Sequence, residues 1–148
     1  MINWTYQHFT ELNTNELYQI LTLRSRVFVV EQDCVYLDLD EKDCNCWHLC
    51  GWVAGELAAY ARVLAPGVSY EEASIGRVVT SPNHRKKGYG IALMQEAIQK
   101  TRAQFNTSRI KIGAQCYLIN FYKSFGFQVS SEEYIEDGIP HIEMLLEI

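Results

Sequence analysis

Arg85, Lys86, Lys87, Gly88 and Gly90 form the stretch whose residue types and spacing point most directly to chemistry. Three cations stand beside two glycines. From Gly88 onward, Ile91, Met94 and Ile98 fall at i, i+3 and i+7, one face of a helix. A helix start offers N–H groups with no intrahelical partner and the positive end of the dipole. Glycine removes the Cβ atoms that would keep a ligand off the backbone. The pattern describes a seat for a pyrophosphate. It is not a P-loop, because G-x-x-x-x-G-K-[ST] is absent. Nor is it a dinucleotide fingerprint, whose first glycine is missing.

Two other groups invite a chemical interpretation. Cys44, Cys46, His48 and Cys50 alternate at period two, which places them on one face of a strand. Residues six apart on a strand are ~20 Å apart, so the four cannot share one zinc with ligands at ~2.0–2.3 Å. Two of them with Cys34 remain a metal alternative to a face of small hydrophobes, and no metal is expected. Asp33, Asp38, Asp40, Glu41 and Asp43 form an acidic, irregular stretch. It lacks the D-x-D-x-D-G order of an EF-hand and reads as a solvated loop bordering a cationic substrate.

The chain must supply elements to hold these groups. Its 148 residues suit one domain, 1–148, and 48% hydrophobic content suffices for a core. The net charge of −5 argues against nucleic acid as a partner. No stretch is apolar enough to span a membrane, and Met1 to Trp4 does not resemble a signal peptide. A cytoplasmic setting with reduced cysteines follows as the expectation.

Ile2, Trp4, Tyr6 and His8 alternate as a first strand. Asn13-x-x-Glu16 opens a helix as a capping box, with Leu17, Ile20, Leu21 and Phe28 on one face. Arg24 shares that face, either as a snorkelling surface arginine or as a residue at the mouth of a site. Strands are expected over the Trp47 region, Glu56 to Leu64, Ser74 to Ser81, Arg109 to Ala114, Val129 to Ile135 and Ile139 to Ile148. Ala54-Gly55 and Asp137-Gly138 are turns. Gln115 to Phe125 reads as a helix capped by Gly126.

The strand, the Pro82 stop, Arg85-x-x-Gly88-x-Gly90 and the following helix resemble the acetyl-coenzyme-A loop of the GNAT N-acetyltransferases. Phe121-Tyr122-Lys123-Ser124-Phe125-Gly126-Phe127 resembles the second motif of that family, some thirty residues later. Val27 to Gln32 and Glu136 to Met144 are similar to its ElaA-type branch. The resemblance covers almost the whole chain. It implies an α/β (α+β) domain whose mixed, mostly antiparallel sheet splays at the central strands, with helices on both faces. It implies acetyl-CoA as co-substrate, its pantetheine along Val78, Val79 and Thr80. The pyrophosphate would lie on N–H groups from Arg85 through Lys86, Lys87, Gly88 and Tyr89 to Gly90. Two positions depart from the family pattern. Gln115 stands where the family often has Asn on the cofactor arm, and Ser74-Ile75-Gly76 carries no carboxylate where many members have their general base.

A protonated amine cannot attack a thioester, since a lysine amine has a pKa of ~10.4 and an α-amine ~7.7–8.0. The oxyanion of the tetrahedral intermediate needs a preorganised N–H, and the leaving thiolate needs a proton. Tyr122 is the acid expected to supply that proton, against a plain core role beside Phe121, Phe125 and Phe127. Glu71, Glu72, Asp137, His141, Glu143 and a water relay are all open as base. Arg24, Arg77 and His141 are expected at the acceptor. The expected function is acetyl transfer from acetyl-CoA to the amine of a small molecule or protein, in a monomer or homodimer. A domain that binds acetyl-CoA as a sensor is the alternative, and a metal protein built on Cys44 to Cys50 a third.

Overall fold

The computed structural model describes all 148 residues. Its backbone is a sheet with helices on both faces. In chain order the elements are β1 (Asn3–His8), α1 (Thr14–Arg24), β2 (Trp47–Val53), β3 (Glu56–Leu64), β4 (Ala73–Thr80), α2 (Tyr89–Phe105), β5 (Arg109–Gln115), α3 (Ile119–Lys123), β6 (Gln128–Val129), β7 (Tyr134–Glu136) and β8 (Ile139–Glu147). The sheet order is β1-β2-β3-β4-β5-β8-β6, with β7 also pairing β8. All its pairs are antiparallel except β4 with β5.

Local sequence explains most of these boundaries. Asn13 Oδ1 accepts from the Glu16 N–H at 2.7 Å, and Glu16 Oε1 accepts from the Asn13 N–H at 2.9 Å, the reciprocal box that starts α1. Ala54-Gly55 and Asp137-Gly138 both adopt positive φ, which joins β2 to β3 and β7 to β8 by tight hairpins. After α3, the Phe127 N–H reaches the Tyr122 carbonyl and the Gly126 N–H that of Lys123, with Gly126 at φ 100°. This Schellman ending turns Phe127 into the core.

Each sheet face has its own core. On one, Leu93, Met94 and Ala97 of α2 pack with Ala59, Ala61, Ile75, Ile112 and Met144. On the other, Ile20, Leu23 and Val27 pack with Tyr60, Cys50 and Val79. Each fully buried aliphatic side chain contributes roughly 1.5–3 kcal/mol by burial.

Three elements differ from the sequence expectation. Ile91 is half-exposed at 52%, so the buried face of α2 runs through Leu93, Met94, Ala97 and Thr101 instead. Gln115 ends β5 rather than opening a helix; a short 3-10 turn over Cys116–Leu118 precedes α3. The strand expected over Val129 to Ile135 is two strands. Between them Ser130 N–H donates to the Glu143 carbonyl and Ser131 Oγ accepts from the Glu143 N–H, so a side chain replaces one rung of the ladder.

Candidate active site

The site begins where the sheet comes apart. Parallel β4 and β5 pair only at Ala73 with Ile110 and Ser74 with Lys111. Beyond Ser74 the two strands diverge, leaving facing edges with unpaired backbone groups. On its other side β4 carries a bulge. Tyr60 pairs with Val79 and Arg62 with Gly76, so Arg77 and Val78 together oppose Ala61. Arg77 sits at φ 51°, a strained value for a residue with a Cβ. The cleft between the splayed strands has a volume of about 980 Å³, and Val78, Val79, Thr80, Arg85, Gly90 and Gln115 all line it.

At the open end lies the basic turn. Ser81 N–H caps the strand on the Ala58 carbonyl, and Pro82 to His84 makes one 3-10 turn. Lys86 (φ 64°) and Gly88 (φ 76°) are left-handed, and Gly88 is the N-cap residue of α2 with no side-chain cap. No protein acceptor takes the N–H groups of Arg85, Lys86, Lys87 or Gly88; the next turn hydrogen bond is Ala92 N–H to the Gly88 carbonyl. Unpaired N–H groups at a helix start are able to receive an anion. A Cβ on Gly90 would meet only Phe121 and Thr80 at ordinary contact distance, so packing within the protein does not require glycine there. Tyr89 tilts against His84. The Arg85 guanidinium forms a bidentate pair with Glu31 across the cleft mouth, and it holds the Glu31 carboxyl below the usual range. Next to it, Gln115 Nε2 donates to Gln32 Oε1 at 3.4 Å.

Tyr122 lines the cleft from α3, 6% exposed. Phe121 and Phe127 hold its ring edge-on, at 5.2 and 6.0 Å between centroids. Burial, with a smaller contribution from Tyr117, pushes its phenol up to about 12. A phenol kept protonated can give a proton but not take one.

The acidic loop does something other than expected. Asp33 and Glu41 are exposed as a solvated loop requires, but Asp38, Asp40 and Asp43 turn inward and pair with arginines. Arg24 is completely buried and donates from Nε to Asp38 at 2.9 Å and from Nη1 and Nη2 to Asp43 at 2.7 and 3.1 Å. Arg62, two residues before the end of β3, pairs with Asp40 and Asp43. Arg77 donates to the Asp38 carboxylate at 2.8 Å and to its carbonyl at 3.0 Å. Burial would raise the Asp43 carboxyl, yet the hydrogen bond and charge of Arg24, with Arg62, hold it below its ordinary range. Arg24 is therefore neither a snorkelling arginine nor a residue of the cleft wall. Arg77 does line the cleft, but Asp38 holds its guanidinium.

The cysteine stretch feeds the same network. Cys46, His48 and Cys50 are buried on one side, while Cys44 is exposed in a 3-10 turn before β2. Asp43, Cys46 and His48 place potential ligand atoms within 4.8 Å of one another. Their polar atoms are engaged, however. Tyr60 Oη hydrogen-bonds His48 Nδ1 at 2.6 Å, His48 Nε2 donates to the Asp43 carbonyl at 3.0 Å, and both arginines hold the Asp43 carboxylate. Burial pushes the Cys46 thiol up to about 12 and keeps His48 neutral by lowering its pKa. Such a set suits a structural lock better than a metal. Sequence reasoning missed Arg62, whose signal was a single charge inside the apolar run Leu57 to Leu64. It also missed Glu31 and Gln32 as cross-cleft partners.

Across the closed end of the cleft, Tyr70 and Tyr134 converge on Gly113. A Cβ there would lie 2.8 Å from one phenol oxygen and 3.0 Å from the other, so the tyrosine side chains would have to shift to admit it. His141, the cross-strand partner of Gln115, lines the same region, 8% exposed and stacked on Tyr134.

Residues 24–148 match the family profile described as an acetyltransferase (GNAT) domain. The chain is 43% identical over 150 residues to the protein ElaA of Escherichia coli, covering 100% of this chain and 98% of that one. A UPF0039 protein of Schizosaccharomyces pombe is 43% identical over 149 residues, 99% of this chain and 98% of its own. Among solved structures, an acyl-CoA N-acyltransferase from Pseudomonas aeruginosa superposes with a TM-score of 0.94 at 39% identity, covering 99% of both chains. Escherichia coli ElaA superposes with a TM-score of 0.93 at 42% identity, covering 99% of this chain and 100% of that one.

Proposed function

The chain belongs to the GNAT acetyltransferase family, and from that membership we propose that it transfers the acetyl group of acetyl-CoA to an amine by direct attack on the thioester. The observation that carries this reading is the splay of β4 from β5 after Ser74, with the Arg77–Val78 bulge on one wall and Tyr122 on the other. An extended pantetheine arm would fill the gap as an added strand along Val78, Val79 and Thr80, satisfying edge groups that the protein leaves unpaired. The pyrophosphate would rest on the N–H groups of Arg85, Lys86, Lys87 and Gly88, with Tyr89 and Gly90 opening the helix behind them. Gln115 keeps an amide at the arm, shared with Gln32.

In this arrangement the bulge supplies an N–H at Val78 to the thioester oxygen as it becomes an oxyanion. The amine attacks the carbonyl carbon, the C–N bond forms, and the tetrahedral intermediate collapses with loss of the C–S bond. Tyr122 donates its phenolic proton to the departing thiolate, whose conjugate acid is ~8.5 by analogy with cysteine. Acceptor selection falls to the closed end of the cleft, where Arg77 and His141 lie. The buried Arg24 acts there only indirectly, by anchoring the loop.

A thiol-release assay with acetyl-CoA and a panel of primary amines tests the reading. CoA release that depends on an amine supports it. Protection of the fold by acetyl-CoA without release by any amine would instead favour a sensor.

A further inference from the structure

We infer that His141 is the base that takes the proton from the acceptor amine, with Glu136 positioned to hold the imidazolium that results. The inference rests on the amine-transfer reading above and adds the group that reading lacks. β4 has no carboxylate where it lines the cleft, since Ser74-Ile75-Gly76 occupies that segment. Asp137 also lines the cleft and its carboxylate has no partner, whereas the other acids nearby are engaged. Asp40 is paired with Arg62, Glu72 with Arg109 and Lys111, and Glu143 with Lys111. The phenols of Tyr70 and Tyr134 are raised, by burial first and by neighbouring groups next, so they remain protonated.

His141 is built differently. Its Nδ1 lies 2.7 Å from the Ile139 carbonyl, which accepts only, so Nδ1 carries the hydrogen. That assignment leaves a lone pair on Nε2. Glu136, on the partner strand β7, has Oε2 3.6 Å from Nε2 and is itself largely exposed. Tyr134 of β7 stacks on the ring at 5.9 Å and fixes its plane, and Gln115 of β5, the cross-strand neighbour, is neutral. On its own strand the next acid on that face, Glu143, faces Lys111. The ring is thus oriented, with Nε2 as the nitrogen that carries the lone pair of its neutral form, and it stands in the wall of the cleft.

The ammonium R–NH3⁺ gives one proton to Nε2, directly or through one water, and the imidazolium is paired by Glu136. The freed lone pair forms the C–N bond. The second nitrogen proton leaves as the intermediate collapses, while Tyr122 protonates the CoA thiolate and recovers its proton from that nitrogen through solvent. Products are the amide, CoA thiol and one proton, which His141 returns to water.

The test compares wild type, His141→Gln and Glu136→Gln in CoA release from acetyl-CoA with a panel of primary amines, as a function of pH. His141→Gln should lower kcat by about 10²–10⁴-fold and remove the acid limb of the profile, with KM for acetyl-CoA unchanged. Glu136→Gln should lower kcat and leave KM for acetyl-CoA unchanged, because the imidazolium formed in the step loses its counter-charge. Nitrogen NMR of the labelled wild type, with and without acetyl-CoA, should find the His141 hydrogen on Nδ1. An unaltered rate and limb in a folded His141→Gln, or a hydrogen on Nε2 of the neutral ring, overturns the assignment alone. Absence of amine-dependent release by the wild type overturns the transfer reading and the base with it.

Discussion

Two polar regions flank the same cleft, and they are opposites. Under the acidic loop, Arg24, Arg62 and Arg77 meet Asp38, Asp40 and Asp43, and of their buried side-chain polar atoms only Arg62 Nε lacks a partner. At the start of α2, four successive N–H groups from Arg85 to Gly88 have no protein partner at all. The first region is charged, mostly buried and nearly complete. The second is charged, exposed and incomplete. Completeness is what separates a structural charge cluster from a ligand seat. A buried ion whose hydrogen bonds are all made has nothing left to offer a substrate. A row of aligned donors that the chain leaves open is held ready for something else.

The largest effect that would sharpen the contrast lies in the complete region. Arg24→Met should destabilise the fold by about 3–5 kcal/mol, because it leaves Asp38 and Asp43 buried without their main partner. Denaturant unfolding reads this directly. A loss below about 1 kcal/mol, with reduced turnover in the folded variant, would move Arg24 back to the site. Second is Tyr122→Phe, expected to lower turnover by about 10²-fold or more with acetyl-CoA affinity nearly intact. Since the phenol sits near 12, the wild type should show no alkaline limb from Tyr122 in the working range. Equal turnover in the variant would leave Tyr122 a core aromatic. Third, Gly88→Asp should weaken acetyl-CoA by at least about tenfold through the strained φ and the added like charge, with stability changed by only about 1–3 kcal/mol.

Acid stability offers a pH test of the complete region. His48 has a lowered pKa in the fold, so the unfolded chain takes up its proton first. Stability should begin to fall as pH drops below about 6.5. Asp40 and Asp43 also have lowered pKa values in the fold, with burial opposing and Arg62 or Arg24 prevailing. Their contribution is complete above the unfolded carboxyl value and should be lost as pH falls below about 3.9. Unfolding free energy measured from neutral to acid pH should therefore fall in two stages, and His48→Gln should remove the first. The smallest effect is Glu31→Gln. Its pair with Arg85 is exposed, so stability should change by less than about 1 kcal/mol.

The sequence made the incomplete region legible and hid the complete one, for physical reasons. A glycine loop before a helix is local, because all its donors lie within a few residues and its conformation is imposed by Gly88. The capping box at Asn13, the Asp137-Gly138 turn and the Gly126 ending are local in the same way. The ion network is not. Arg24 meets Asp43 across 19 residues and Arg77 meets Asp38 across 39, so nothing near either arginine marks it as buried. The bulge at Arg77 also escaped notice, since a left-handed arginine carries no glycine signature. One non-local clue was present: a lone Arg62 inside an apolar strand must find a carboxylate, and the acidic loop was the nearest supply. The interrupted pairing of residues 128–136 was hidden because it depends on a serine hydroxyl standing in for a backbone group.

The most direct test of the incomplete turn as a cofactor seat is calorimetric titration with acetyl-CoA beside S-acetylpantetheine, which keeps the thioester arm and lacks the pyrophosphate. The account predicts that acetyl-CoA binds and that the fragment does not, because the N–H groups from Arg85 to Gly88 hold the pyrophosphate. Equal affinity for both, or no affinity for acetyl-CoA, would contradict it and return the turn to an ordinary solvated loop.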